Sequence, residues 1–396
     1  MNRIVIVGAS AGGLATAEAL RRMGYEGAIT LVGDENCLPY DRPPLSKQIL
    51  TGDWDAGRLV LRRPEDLDAL GLDLSLGVAA TGLDPVARTV TLADGARLPY
   101  DGLVVATGVR PRRLPGSAGP AGVSTLRTAA DALALRTRLL PGRRLVIVGA
   151  GFVGAEVAAV ARGLGVEVTL LEAGPVPLAA AVGEQAGRWL ARSHHDHGVR
   201  LRTGVSVARI HSARGAATGV ELAGGSVIDA DDVLVAIGST PNTAWLEGSG
   251  LTVRDGLVCD RFSAAAPGVY GVGDVARWHN PLFATEMRIE HRTNAAEQGL
   301  AVARNLLNPD APRPFAPVPY FWSDQYGVKI QSYGYLRDHD EAVVVDGEVS
   351  RRRFLIGYRR GDRLAGILGI GMPPKALRHW RALIAAGSAW NAGVMA

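Results

Sequence analysis

Cysteine is nearly absent: Cys37 and Cys259 are the two in 396 residues. That is too few for a disulfide framework or a thiolate-held cluster. Long apolar runs are missing as well. Gly, Arg or Glu interrupts each stretch short of the ~18 residues a membrane helix needs. The opening run, Ile4-Val5-Ile6-Val7 after Arg3, is far shorter than a signal-peptide core, and no cleavage site follows it. These absences predict a soluble, cytoplasmic chain. Dense basic clusters are lacking too. The formal net charge is +4 and the longest basic run is Arg351-Arg352-Arg353. Nucleic acid is thereby disfavoured, and a mildly basic face toward an acidic partner is expected. Glycine, by contrast, is plentiful: 50 residues, with no G-X-Y period. Collagen is excluded, so the excess serves tight turns or close backbone approach to a ligand. With 47% hydrophobic and 21% charged residues the composition is globular, and the length allows several domains.

The chain repeats itself. Ile4-Val5-Ile6-Val7-Gly8 and Leu145-Val146-Ile147-Val148-Gly149 are each a short strand-like run ending at glycine. Each leads into an Ala-rich helical stretch, residues 14–23 and 155–164. Each then meets a second strand, residues 28–32 and 166–171. A later pair, Leu103-Val104-Val105-Ala106-Thr107-Gly108 and Leu234-Val235-Ala236-Ile237-Gly238, follows the same style. The repeat is too long for a solenoid and reads as two similar α/β domains. Alternating stretches at 86–92, 205–210 and 219–222 bracket Gly-rich turns and read as small antiparallel sheets. A Pro-rich linker near 309–314 precedes a third region of aromatics and alternating strands, closed by a helix at 375–386. The expected fold is α/β. Two Rossmann-like dinucleotide-binding domains of glutathione-reductase type precede a C-terminal α+β domain. The expected boundaries are 1–112 with 237–312, then 113–236, then 313–396.

The second glycine turn, Gly149-x-Gly151-x-x-Gly154, fits the dinucleotide fingerprint at a strand–helix junction. The first Gly permits the tight turn. The second allows a pyrophosphate to approach, and the third lets the helix pack on the strand. An acid is expected about 20 residues on, at the end of the second strand, to take a ribose hydroxyl. Glu172 stands there and would repel a 2′-phosphate, which favours NADH over NADPH. The first turn is degenerate: Gly8-x-Ser10-x-x-Gly13, with Gly12 beside it and Asp34 and Glu35 after the second strand. Two dinucleotide sites call for two dinucleotides, most simply NAD(H) and FAD. In Gly271-Val272-Gly273-Asp274, Asp274 could reach a flavin ribitol hydroxyl, or could simply cap a helix. His194-His195-Asp196-His197 reads as a polar helix end in preference to a metal site, and no metal is expected.

Several motifs together resemble the FAD-dependent ferredoxin reductases of bacterial P450 and Rieske oxygenase systems. They are Leu38-Pro39-Tyr40-Asp41-Arg42-Pro43-Pro44-Leu45-Ser46-Lys47, Ala106-Thr107-Gly108-x-Arg110-Pro111-Arg112, Leu126-Arg127-Thr128, Ile289-Glu290-His291, Asn294-Ala295-Ala296 and Phe321-Trp322-Ser323-Asp324-Gln325. The resemblance implies an NADH-dependent flavoprotein that passes electrons to an acidic [2Fe-2S] ferredoxin, as a monomer or weak homodimer. It implies that Gly12, Asp34, Arg42, Ala80, Arg127, Gly273, Asp274 and Arg292 contact FAD. Lys47 would sit by the isoalloxazine with Glu156 near it, and Trp322 would cover the flavin or nicotinamide face. Arg292 departs from the pattern, which usually has an apolar residue there. A charge at that point would bear on partner docking, together with Arg110, Arg112 and Arg113. The tail, residues 369–396, also departs from the pattern.

Two other classes stay open at this stage. Cys37 beside Leu38-Pro39-Tyr40 could be the single redox thiol of an NADH oxidase or a disulfide reductase. A non-enzymatic redox-sensing flavoprotein is also compatible with two dinucleotide sites.

Overall fold

The four residues Ile4 to Val7 are all buried. A strand apolar at every position must be covered on both faces, the mark of a parallel sheet sandwiched by helices. The computed structural model, which describes residues 1–115, 117 and 119–391, has that architecture twice. The last five residues of the expected C-terminal domain lie outside the described residues. The chain forms two units: 1–41, 59–110 and 240–320 in one, and 42–58, 111–239 and 321–396 in the other.

In the first unit a six-stranded sheet runs in the order Ala264–Ala266, Val269–Gly271, Gly102–Val105, Arg3–Val7, Ala28–Gly33, Asp73–Leu76. The five strands after the first of these are parallel to one another. The chain leaves Arg3–Val7 to one side for Ala28–Gly33 and later returns to its other side at Gly102–Val105. That reversal makes the carboxyl end of Arg3–Val7 a topological switch point, the place where open α/β sheets bind ligands. Helices Ala11–Arg22 and Arg292–Leu307 pack tightly there. A Cβ on Gly299 would come within 2.8 Å of Thr16 Oγ1 and 2.9 Å of the Gly12 carbonyl oxygen. The small antiparallel sheet expected near 86–92 is present as Ala80–Asp84, Thr89–Leu92 and Arg97–Pro99.

The second unit repeats the plan. Its parallel sheet runs Arg200–Arg202, Glu167–Leu171, Arg144–Val148, Asp232–Val235, Val123–Ser124. The same turn hydrogen bond recurs: Gly8 N–H donates to the Val32 carbonyl at 2.7 Å, and Gly149 N–H to the Leu171 carbonyl at 2.8 Å. A five-stranded antiparallel sheet follows, ordered Tyr320–Gln325, Val328–Gly334, Arg363–Ile370, Arg353–Arg360, Glu341–Glu348, and helix Pro374–Ala385 packs on it. This sheet shares a core with the nucleotide-type fold. Ile330, Phe354, Ile356, Tyr358 and Leu368 cluster with Val182, Trp189 and Leu190 of the segment Ala179–Asp196. That helix breaks at Gly183, whose φ is +75°. The Tyr358 hydroxyl donates to the Val182 carbonyl at 2.6 Å, satisfying a polar group that would otherwise be buried unpaired.

Candidate functional site

Within the first unit the glycine turn is built for close approach. Gly8 has φ +126°, and a Cβ there would lie 2.1 Å from the Ala106 carbonyl oxygen. A Cβ on Gly13 would lie 2.0 Å from the Gly8 carbonyl oxygen, so this position packs helix against strand. Gly12 faces Val272 and Ala295, where a Cβ would meet Val272 Cγ1 at 2.8 Å. Its missing side chain therefore serves helix packing. Helix Ala11–Arg22 begins at Ser10, which makes no side-chain cap among the described residues, and no acid lies in its first turn. The first N–H donors are left for an anion, and the helix dipole favours one.

Asp274 lies in the single turn Gly273–Val275, whose N-cap is Val272, so it is not the cap that the sequence left open. Gly273 N–H donates to Gln298 Oε1 at 2.8 Å, and Gln298 Nε2 donates to Ser263 Oγ at 3.0 Å. Ala80 begins the strand Ala80–Asp84. Asp34 is exposed just beyond the second strand. By the repeated turn hydrogen bond, the position matching Glu172 is Gly33, where a Cβ would come within 2.7 Å of Ala9 Cβ. The acid of the first unit is thus displaced by one residue.

Arg292 opens helix Arg292–Leu307, and its Nε donates to Asp41 Oδ1 at 2.5 Å. A carboxylate of the same unit thus pairs with the charge by which this position departs from the motif pattern. Arg110 is likewise engaged, with Nη1 3.3 Å from the Pro241 carbonyl oxygen and from Asn242 Oδ1.

In the second unit Gly149 has φ +103°, and a Cβ there would sit 2.3 Å from the Ala236 carbonyl oxygen; one on Gly154 would lie 1.9 Å from the Gly149 carbonyl oxygen. Gly151 differs. Among the described residues nothing stands within 4 Å of a Cβ built on it, so the space beside the turn is open. Gly151 also supplies no cap to helix Phe152–Gly163. Glu172 is held against this turn: Ala150 N–H donates to Oε2 at 2.8 Å and Gly174 N–H to Oε1 at 2.7 Å. A tight turn, an uncapped helix start, open space and a fixed carboxylate fit a dinucleotide pyrophosphate and its ribose.

Lys47 and Glu156 meet in the same unit. Lys47 Nζ donates to Glu156 Oε2 at 2.7 Å and to the Pro43 carbonyl at 3.2 Å. The side chains are 12% and 6% exposed, so the pair is shielded from water. The Ser46 hydroxyl also bonds Glu156 Oε2, and Ser323 Oγ donates to Oε1 at 2.8 Å. Among the described residues two of the three Lys47 donors are taken, leaving one N–H to offer. Ser46 and Ser323 lie inside quoted motifs, but the sequence assigned them no role; no local pattern marks a residue whose partner is distant in the chain. Arg127 precedes a helix capped by Thr128 and Asp131, and its carbonyl accepts from Arg42 Nη1 at 2.8 Å. Trp322 is half-buried in the strand Tyr320–Gln325, and its neighbour Phe321 packs edge-on against Phe152 at 4.8 Å.

Cys37 is exposed, whereas Cys259 is buried and burial pushes its thiol up to about 12. His194 closes helix Ala179–Asp196 as a helix-end residue. Its Nδ1 is 2.6 Å from the Tyr326 hydroxyl, and the His197 ring stacks on the Tyr326 ring at 3.9 Å. Among the described residues no helix is long and apolar enough to cross a membrane.

Comparison with known proteins extends this picture. Residues 2–299 match the pyridine nucleotide-disulphide oxidoreductase family, and residues 320–396 match the reductase C-terminal family. The second match includes the tail that the motifs had set apart. The chain is 38% identical to rhodocoxin reductase of Rhodococcus erythropolis, over 93% of this chain and 86% of that protein. It is equally 38% identical to the ferredoxin–NAD+ reductase component of the p-cumate 2,3-dioxygenase system of Pseudomonas putida, over 91% and 85%. A solved structure, the covalent putidaredoxin reductase–putidaredoxin complex, superposes with a TM-score of 0.93 at 34% identity, covering 98% of this chain and 93% of that one. The chain belongs to the pyridine nucleotide-disulphide oxidoreductase family, and within it to the FAD- and NAD(H)-using ferredoxin–NAD+ reductases.

Proposed function

We propose that this chain passes electrons from NADH through FAD to an acidic [2Fe-2S] ferredoxin that serves a P450 or Rieske-type oxygenase. The observation that carries the reading is the doubled glycine turn, each copy with an uncapped helix start, in a chain of this family. In this reading residues 1–112 with 237–312 hold FAD, through the backbone at Gly8, Gly12, Gly13, Ala80 and Gly273 and the side chains of Asp34 and Asp274. Residues 113–236 hold NADH, with Gly151 giving room to the pyrophosphate and Glu172 taking the adenosine ribose. Arg42, Arg127, Arg292 and Trp322 complete the flavin surroundings, and residues 313–396 form the C-terminal domain.

Bound FAD supplies the two-electron to one-electron conversion. The protein's part is alignment and charge, with no acid, base or nucleophile needed at carbon. Lys47, pinned by Glu156, offers its remaining N–H and positive charge beside the flavin. An acidic partner is supported by the distribution of charge. Residues 321–396 hold eleven Lys and Arg against seven Asp and Glu, which is the whole net charge of +4. The chain acts in the cytoplasm, where NADH is made.

The test is stopped-flow reduction of the bound flavin by NADH, followed by cytochrome c reduction through a panel of iron–sulfur proteins. NADH is expected to bleach the flavin, and one acidic ferredoxin to accelerate cytochrome c reduction. Lys47→Ala is expected to slow flavin reduction by about tenfold or more with FAD still bound. An unchanged rate in that variant removes Lys47 from the flavin site. Failure of every ferredoxin in the panel removes the acceptor assignment.

A further inference from the structure

Glu156 accepts on both oxygens, and the two sides are held differently. Oε2 takes the Lys47 ammonium and the Ser46 hydroxyl. The Oε1 partner in the structure is Ser323 Oγ, at 2.8 Å. Glu156 is 4% exposed and Ser323 is fully buried, so water is a poor substitute for that hydroxyl. A serine hydroxyl has one proton. Gln325 Nε2 donates to Ser323 Oγ at 3.1 Å and occupies its acceptor side, which commits the proton to Glu156. Both residues come from one strand, Tyr320–Gln325, where alternation turns Ser323 and Gln325 to one face and Trp322 and Asp324 to the other.

We infer that Ser323 is a positioning residue for electron transfer. By fixing the Glu156 carboxylate, it fixes the Lys47 ammonium. The inference rests on the reading of Lys47 as a flavin-side group. Without the hydroxyl, Oε1 is left unsatisfied in a buried place, a costly state that the carboxylate relieves by turning. Lys47 then keeps the Pro43 carbonyl at 3.2 Å as its remaining fixed contact in the structure, and the ammonium loses its fixed position. The C-terminal domain thereby reaches the chemistry through a polar contact as well as through Trp322.

The composition makes a direct test possible. The chain has three lysines, Lys47, Lys329 and Lys375. The last two are exposed and serve as internal standards. The FAD-loaded protein is treated with a trace of sulfosuccinimidyl acetate, and acetylation of each lysine is followed by peptide mass spectrometry. Wild type, Ser323→Ala, Glu156→Gln and the double variant form a cycle. Ser323→Ala is expected to raise Lys47 labelling, relative to the standards, by about fivefold, and to lower kcat with NADH while KM stays within about twofold. In the Glu156→Gln background, adding Ser323→Ala is expected to change neither quantity by more than about twofold, because the residue acts through Glu156. Ser323→Thr, which keeps the hydroxyl, should restore slow labelling. If Ser323→Ala does not accumulate, Ser323→Cys replaces the hydroxyl by a weak donor of similar size and must move labelling in the same direction. The inference is overturned by labelling within about twofold of wild type in the serine variants, or by equal factors in both backgrounds. Labelling reports the Ser323–Glu156–Lys47 linkage whether or not Lys47 serves the flavin. An unchanged flavin reduction in Lys47→Ala would strike the functional reading alone.

Discussion

Acid should weaken the second unit through a single imidazole. His194 is fully buried at the end of helix Ala179–Asp196, with Nδ1 against the Tyr326 hydroxyl and Nε2 without a partner among the described residues. Burial, helped by the neighbouring His197, holds its pKa down to about 4. An unfolded histidine titrates near ~6.5. Between these values the unfolded chain binds the proton and the folded one does not, so stability falls as pH drops through that window. Above the unfolded value both states are neutral and the group contributes no pH dependence. Linkage makes the loss about 2 kcal/mol at pH 5 and roughly 3 kcal/mol once both states are protonated. The assay is urea unfolding followed by tryptophan fluorescence at half-unit steps from pH 8 to 4, for wild type and His194→Gln. Other groups titrate in both proteins and cancel in the difference. Wild type should lose about 2 kcal/mol relative to the variant between pH 7.5 and 5. A flat difference across that range would refute the buried, neutral imidazole.

Three further outcomes follow from the sites. Glu172→Gln should narrow the preference for NADH over NADPH by about tenfold, measured as the ratio of kcat/KM values, because the carboxylate held by Ala150 and Gly174 no longer repels a 2′-phosphate. Alkylation with iodoacetamide should modify the exposed Cys37, spare the buried Cys259 and leave NADH-to-ferredoxin turnover within about twofold; loss of turnover would revive a thiol mechanism. The double variant Asp41→Asn/Arg292→Gln, which removes the ion pair without changing the net charge, should leave the salt dependence of ferredoxin reduction within about a fifth of wild type, since the two charges already offset each other. A marked flattening would show that the Arg292 charge reaches the partner.

Both glycine turns, their strands and the helices behind them were legible as contiguous residues. A strand, a turn and a helix that answer to one hydrogen-bond pattern are coded by neighbours, so Gly8 and Gly149 announce themselves in sequence and recur with the same backbone bond. The acid after the second turn was equally legible, since Glu172 stands at the end of its own strand. The first-unit acid was legible less well. Gly33 stands at the matching position because Ala9 crowds it, and a steric contact between a strand end and a turn distant in the chain leaves no local signature.

The polar groups around Glu156 were decided by the tertiary structure alone. Ser46 lies 110 residues from Glu156 and Ser323 lies 167 residues from it, while Arg292 and Asp41 are 251 apart. Periodicity and turn chemistry act over a few residues. Satisfaction of a buried carboxylate instead depends on which distant donors packing brings within about 3 Å. The sequence by itself therefore determined the doubled strand–turn–helix fold and the place of Glu172 at the end of its strand. The fold decided which serines anchor the Lys47–Glu156 pair, and that Arg292 spends its charge inside its own unit.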